Sequence, residues 1–520
     1  MKICASIGKG IPGVKSAQST ARQGGGNGPL GFGAFSALFL ALFALALLPL
    51  TLSEIPPLLD YPNHLARMFL LAHLDSTPVL QQFYAVAWAP LPDLAMDATV
   101  PPLLAFLPLD IAGKVFIGAT FLLLAGGTAL LQRALFQRWS AWPCLAFLLL
   151  YNRMLLWGFL NYLFGLGLAL SMLAVWIMLR RHSVVWRLIF GCVAALVIYF
   201  AHLMAFGIYG VLIAGTEIGL WRRRQGSIAD LAVAALPFLP PLLIFVATSG
   251  AASAGRIVFG NPWRKFDLLF SVFDNYSRPF DVACFVIAVI GVGFLYGCRW
   301  ARLAPGMAWP LGLLGIAYLA MPSEIFTATG ADHRLPLALA LVLIGASRFD
   351  PPRAIMRRTV YAAGLALFLL RAGVVAVEWQ ASGRAYAALL PGLDLLEPGS
   401  RVAVGFPDRS VHVDAIPLLH LPVLAVARRE AFVPTLFASA AQQPIRLTPP
   451  AQTLADQLSA TQLWAHFVGG GDLDDATQAA LLRCDYLILT GRADFSLSTG
   501  AGLDPVFVAP RFQIYRVTHS

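Results

Sequence analysis

The chain is poor in charge. Asp, Glu, Lys and Arg make up only 12% of its 520 residues, whereas a soluble globular domain carries about 25%. This shortage excludes a disordered chain, which combines low hydrophobicity with high net charge. It also excludes an ordinary soluble enzyme. Acid is scarcer than base, with 27 Asp+Glu against 37 Lys+Arg and a formal net charge of +10. In so apolar a chain the excess fits the Lys and Arg of cytoplasmic loops, and nucleic acid is excluded as a partner. Cysteine is scarce as well. The six residues, Cys4, Cys144, Cys192, Cys284, Cys298 and Cys484, contain no CxxC pair, so neither a zinc site nor a disulfide framework follows. A Walker A loop, a GxGxxG after a strand, an HExxH pair and a GxSxG elbow are all missing. Chemistry driven by a soluble nucleotide in a recognisable loop is therefore not expected.

What the chain has is apolar surface, with 58% hydrophobic residues and a mean hydropathy of +0.72. Apolar runs occupy 32–52, 114–131, 135–151, 155–179, 186–201, 203–221, 228–247, 280–297, 306–321, 335–347 and 359–377. A straight span needs roughly 20 apolar residues, and the pattern predicts an α-helical polytopic membrane protein with about 11 transmembrane helices. The basic residues test this. Arg133/Arg138, Arg180/Arg181/Arg187, Arg222–Arg224, Arg299/Arg302 and Arg348/Arg353/Arg357/Arg358 fall in every second loop. By the positive-inside rule these loops are cytoplasmic. The N-terminus is then cytoplasmic and the C-terminus outside. Abundant Ala, Gly, Arg and Pro point to a bacterium, so the chain is expected to be a multi-pass protein of the inner (plasma) membrane with a periplasmic C-terminus.

Three regions follow. Residues 1–31 carry Lys2, Lys9, Lys15 and Arg22 but no acid, and read as a flexible cytoplasmic tail. Residues 32–377 form the transmembrane domain, with outer loops at 53–113 and 248–279. Residues 378–520 alternate strand-like runs (401–404, 486–489, 512–517) with helical segments, which predicts a C-terminal extracytoplasmic α/β domain.

The strongest polar motif is Asp60-Tyr61-Pro62-Asn63-His64-Leu65-Ala66-Arg67, directly after the first span. Pro62 suits the first turn of a helix, and Asp60 is placed to cap it. His64 and Arg67 then share a face. Asp60 could serve as a general base, and His64 and Arg67 could hold an anion. The plain alternative is an N-cap and a solvated polar face. A second motif, Asp332-His333-Arg334, opens the tenth run on the same side. Its Arg suits a phosphate, or else snorkels beside Asp332. Arg153 stands near membrane depth, where polar groups usually face a cavity. Asn161 and Tyr162 fit helix packing better. His202, at an outer turn, reads more readily as a structural histidine than as a ligand. Trp263-Arg264-Lys265-Phe266 could grip an anionic lipid headgroup or anchor the interface.

On these features the chain resembles the GT-C superfamily of integral membrane glycosyltransferases, which includes protein O-mannosyltransferases, the aminoarabinose transferase of lipid A and oligosaccharyltransferases. The resemblance rests on an outer loop that begins with the acid Asp60, an amphipathic helix in that loop, about eleven spans and a soluble C-terminal domain. It implies an inverting transfer of sugar from a polyprenyl-phosphate-linked donor to an envelope glycan, lipid or protein on the outer face, among membrane lipids. Asp60 would sit where the family keeps its catalytic or metal-associated acid. Arg334, Arg67 and His64, with Asp332, His333, Arg153, His202, Arg264 and Lys265, would bind substrate. Many members follow the first acid with a second, where this chain has Tyr61. No residue is assigned as a metal ligand, and a divalent cation (Mg or Mn) is compatible with the resemblance rather than required by it. Two other classes stand beside this reading: a lipid or polysaccharide transporter or flippase, and a non-catalytic scaffold of envelope glycan assembly. The first would show repeated halves with broken helices, and no repeat is visible.

Overall fold

The computed structural model describes residues 30–249, 256–326, 328–408, 418–440 and 442–518. The expected tail at 1–31 lies almost wholly outside the described residues. Among the described residues eight helices are long and apolar enough to cross a membrane: Phe32–Thr51, Leu109–Phe136, Leu160–Leu179, Val184–Ala201, Leu203–Arg222, Ile228–Thr248, Arg278–Gly297 and Ala354–Asp394.

The other three expected spans differ. The run at 135–151 is not one helix. Leu109–Phe136 ends at Gln137, which adopts a left-handed φ of 55°. The chain continues through 3-10 turns at Trp142–Leu149, opened by Pro143. The runs at 306–321 and 335–347 give the short helices Ala308–Ala320 and Leu335–Gly345. Eleven residues rise only about 16 Å, half of a hydrocarbon core about 30 Å thick. Such pieces are stable at membrane depth when protein surrounds them. Leu335–Gly345 meets that condition, burying seven of its eleven residues.

Leu109–Phe136 and Leu160–Leu179 pack closely against each other. A side chain on Gly127 or Gly167 would meet the facing backbone at 2.8 Å or less, and small residues of this kind let membrane helices approach closely. Contacts sort the loops into two ends. One end holds Arg138 against Asp350 at 2.7 Å, and Arg187 against Glu217 and Asp230 at 3.2 and 3.1 Å. The other gathers Asp60, Asp93, His202 and Arg334.

The expected domain boundary at 378 falls inside the 41-residue helix Ala354–Asp394. Nothing breaks this helix before Pro391, so it runs on from the bundle. The C-terminal domain's own sheet starts with Val402–Gly405. Its strand order is Leu503–Ala509, Phe512–Val517, Tyr486–Thr490, Val402–Gly405, with the last pair parallel and the others antiparallel. All five residues of Tyr486–Thr490 are buried. A separate strand, Ile445–Leu447, pairs antiparallel with Tyr84–Val86 of the first outer loop. That pairing joins the C-terminal domain to the loop that carries Asp60.

Candidate active site

The helix Tyr61–His73 starts just after Asp60, but Asp60 does not cap it. Its backbone is αR (φ −88°, ψ −3°) and its side chain accepts no cap hydrogen bond. Pro62 has removed one of the N–H groups a cap would serve. The carboxylate is left facing a cavity. Its backbone is held from the other side, where Leu59 N–H donates to the Leu156 carbonyl at 2.8 Å and Asp60 N–H to the Trp157 carbonyl at 3.3 Å. Gly158 has φ +88°, and a Cβ there would stand 2.9 Å from the Asp60 Cβ. Only a residue without a Cβ fits both constraints comfortably.

His64 donates from Nε2 to the Gly158 carbonyl at 3.0 Å. Burial, and next the charge of Arg67, lowers its pKa from 6.5 to about 4. It is a neutral brace for the turn, not a cation. Arg67 forms a two-pronged pair with Asp97 at 2.8 and 2.9 Å, the side chains 2% and 0% exposed. It ties the loop helix to Ala95–Leu103, and both His64 and Arg67 line the cavity that Asp60 faces.

Arg334 is arranged differently. It is buried, with its guanidinium 4.5 Å from the Phe159 ring centroid. Its Nη1 donates to the Thr329 carbonyl at 3.3 Å, and its Nε has no partner. Among the described residues it makes no ion pair. Asp332, its expected neighbour, accepts instead from Lys265 Nζ at 2.7 Å, and Lys265 also donates to the Met321 carbonyl. Arg153 pairs with Asp274 and lies over Trp157. His333 packs on the same Trp157 at 4.7 Å, and burial lowers its pKa to about 4. Arg264 is exposed. None of these five residues, Asp332, Lys265, Arg153, His333 and Arg264, lines the cavity that Asp60 faces. His202 does line it, but accepts Met204 N–H at Nδ1 (3.0 Å) and stands 3.6 Å from Asp93. Burial lowers its pKa to about 4 as well.

The cavity has a volume of about 710 Å³. Asp60, Asp93, His202 and Arg334 line its membrane side, and Phe437, Gln443 and Arg446 of the C-terminal domain line the other. The sequence reading missed three participants. Asp93 adopts φ 72° and accepts Leu203 N–H at 3.1 Å. Asn63 binds residues 420, 435 and 437. His420 stands 3.4 Å from the Asp60 carboxylate. The only hint of His420 was a lone polar residue within the apolar run Leu418–Leu424.

Among the described residues no group of three His, Cys, Asp or Glu side chains could hold a metal ion. At Asp60 the neighbours are a histidine bound to a carbonyl and the His420 ring. This donor set does not fit a divalent cation.

No family model and no curated protein sequence matches the chain. Solved structures do. ArnT from Cupriavidus metallidurans bound to undecaprenyl phosphate superposes with a TM-score of 0.52 at 12% identity, covering 94% of this chain and 98% of that one. ArnT from the same organism in the apo state gives a TM-score of 0.52 at 14% identity, over 93% and 97%. At such identity the likeness is one of fold alone: over nearly its whole length the chain shares the fold of these two ArnT structures.

Proposed function

We propose that the chain is a GT-C-type inverting glycosyltransferase of the bacterial inner membrane, moving a sugar from a polyprenyl-phosphate-linked donor to an envelope glycan, lipid or protein on the outer face. One observation carries the reading. Asp60, which caps nothing, and Arg334, which has no carboxylate partner among the described residues, face one cavity at one end of the span bundle. A base and a cation not held in a direct ion pair are the two groups such a transfer requires.

In this mechanism the acceptor's hydroxyl or amine attacks the anomeric carbon and its proton passes to Asp60. The bond from that carbon to the phosphate oxygen breaks, and its electron pair leaves with the lipid phosphate. Arg334 meets the charge that develops there. Its Nε lacks a partner and its low-dielectric surroundings strengthen the interaction. The undecaprenyl phosphate bound by the ArnT neighbour supports a lipid phosphate as leaving group. The Lys and Arg content of alternate loops supports placing the cavity outside, with a cytoplasmic N-terminus and a periplasmic C-terminus. No step runs through a divalent cation, because the described residues at Asp60 do not assemble a site for one.

The test is mass spectrometry of envelope glycans and glycolipids in a deletion strain carrying wild type, Asp60→Asn or Arg334→Ala. One sugar mass should disappear on deletion and return with wild type only. Losing a single stabilising donor typically costs about 10²–10³ in rate. Restoration by both variants would remove the catalytic reading in favour of transport or a scaffold.

A further inference from the structure

We propose that His420, supplied by the C-terminal domain, is a positioning residue for Asp60, with its tautomer set by Asn63. The proposal rests on the catalytic role given to Asp60 above. The hydrogen bonds fix each assignment in turn. A backbone N–H can only donate, and that of Phe437 lies 2.7 Å from Asn63 Oδ1. The amide group of Asn63 therefore has its Nδ2 toward the Thr435 carbonyl, at 3.1 Å, and toward His420 Nδ1, at 3.0 Å. Nδ2 donates, so Nδ1 must accept. In a neutral imidazole the proton then sits on Nε2.

That Nε2 is buried, has no hydrogen-bond partner, and stands 3.4 Å from Asp60 Oδ1. The His420 side chain is 2% exposed and its ring meets Phe437 edge-on at 5.1 Å. It cannot swing away without disturbing the interface. Nε2–H is thus the ring N–H nearest the Asp60 carboxylate, close to one oxygen without yet bonding it, and the other oxygen is left for the acceptor's proton. A distance slightly beyond hydrogen-bond length is usual before substrate arrives, and such contacts tighten in the reacting complex. Separated by 357 residues in sequence, Asn63 and His420 show that the C-terminal domain completes the centre as well as covering it.

Two substitutions separate positioning from structure. His420→Gln can place an amide N–H where Nε2 was, toward Asp60, and gives up the contact with Asn63. His420→Asn can keep a partner for Asn63 at the Nδ1 position and gives up the contact with Asp60. Each full-length variant is expressed in the deletion strain beside wild type and Asp60→Asn, with protein level and detergent unfolding temperature measured. The readout is the amount of the sugar product. A misplaced catalytic group can cost about 10²-fold, so His420→Asn should fall about 10²-fold while His420→Gln stays within about tenfold of wild type. Product from His420→Asn equal to or above that from His420→Gln, with Asp60→Asn inactive, would overturn the positioning role and leave the function standing. Full product from Asp60→Asn would instead overturn the function on which the proposal rests.

Discussion

Two arginines and one aspartate at the cavity end of the bundle show how a side chain's partners decide its role. Arg334 and Arg67 both sit beside the cavity, yet Arg67 is neutralised by Asp97 and Arg334 is not. Truncating Arg67 to Ala would strand the Asp97 carboxylate in the interior. The expected loss is about 3–5 kcal/mol, read as a fall in unfolding temperature in detergent. His64 and His202 make a second prediction. Their folded pKa values of about 4 lie below the ordinary 6.5. Between those values the unfolded chain binds more protons, so stability rises with pH. Acidifying from pH 6.5 toward 4 should therefore lower the unfolding temperature, and replacing either histidine with a non-titrating residue should reduce that slope. Asp60 and Arg334, which line one cavity, could be singled out in the sequence because a charge beside an apolar run stands out. His420 was not, because its meaning depends on Asn63, 357 positions away. Nor was the commitment of Arg67 to Asp97, since a paired and an unpaired arginine look alike in a sequence.

At the level of elements, the turn at Gly158 couples the third long span to the site. Its positive φ is one that L-residues enter at a cost of about 1–2 kcal/mol. Gly158→Ala should therefore lower stability modestly. Its methyl would also press on the Asp60 backbone and side chain, 2.9 Å away, so product formation should fall by more than the loss of folded protein explains. Comparing product per folded molecule for the two proteins checks this. The apolar runs revealed the long helices, and the basic residues revealed which loops share an end. Hydropathy could not reveal that 135–151 is broken by 3-10 turns or that 335–347 is a short buried helix. An apolar residue facing protein and one facing lipid are equally hydrophobic. The 378 boundary was misplaced for a related reason: the end of the apolar stretch does not end the helix, which runs to Asp394.

At the scale of the whole molecule, the C-terminal domain is attached to the first outer loop at several points. Ile445–Leu447 pairs with Tyr84–Val86, Val433 N–H donates to the Tyr84 hydroxyl at 3.0 Å, and Asn63 holds the 435–437 segment. Removing residues after 395 would expose these buried polar groups and a free strand edge. Limited proteolysis of the truncated chain should then cut within 53–113, where the full chain resists, and the sugar product should be lost. The α/β character of this domain was readable from its alternating runs. Its partnership with the first loop was not, because strand pairing leaves no mark on either partner alone. The most direct measurement follows the donor lipid itself. Purified full-length protein is incubated with total lipid and envelope extract from the deletion strain, and polyprenyl lipids are followed by mass spectrometry. The account predicts that one polyprenyl-phosphate sugar falls as free polyprenyl phosphate rises with wild type, and that neither changes with Asp60→Asn. Equal consumption by both proteins, or none by wild type, would contradict it.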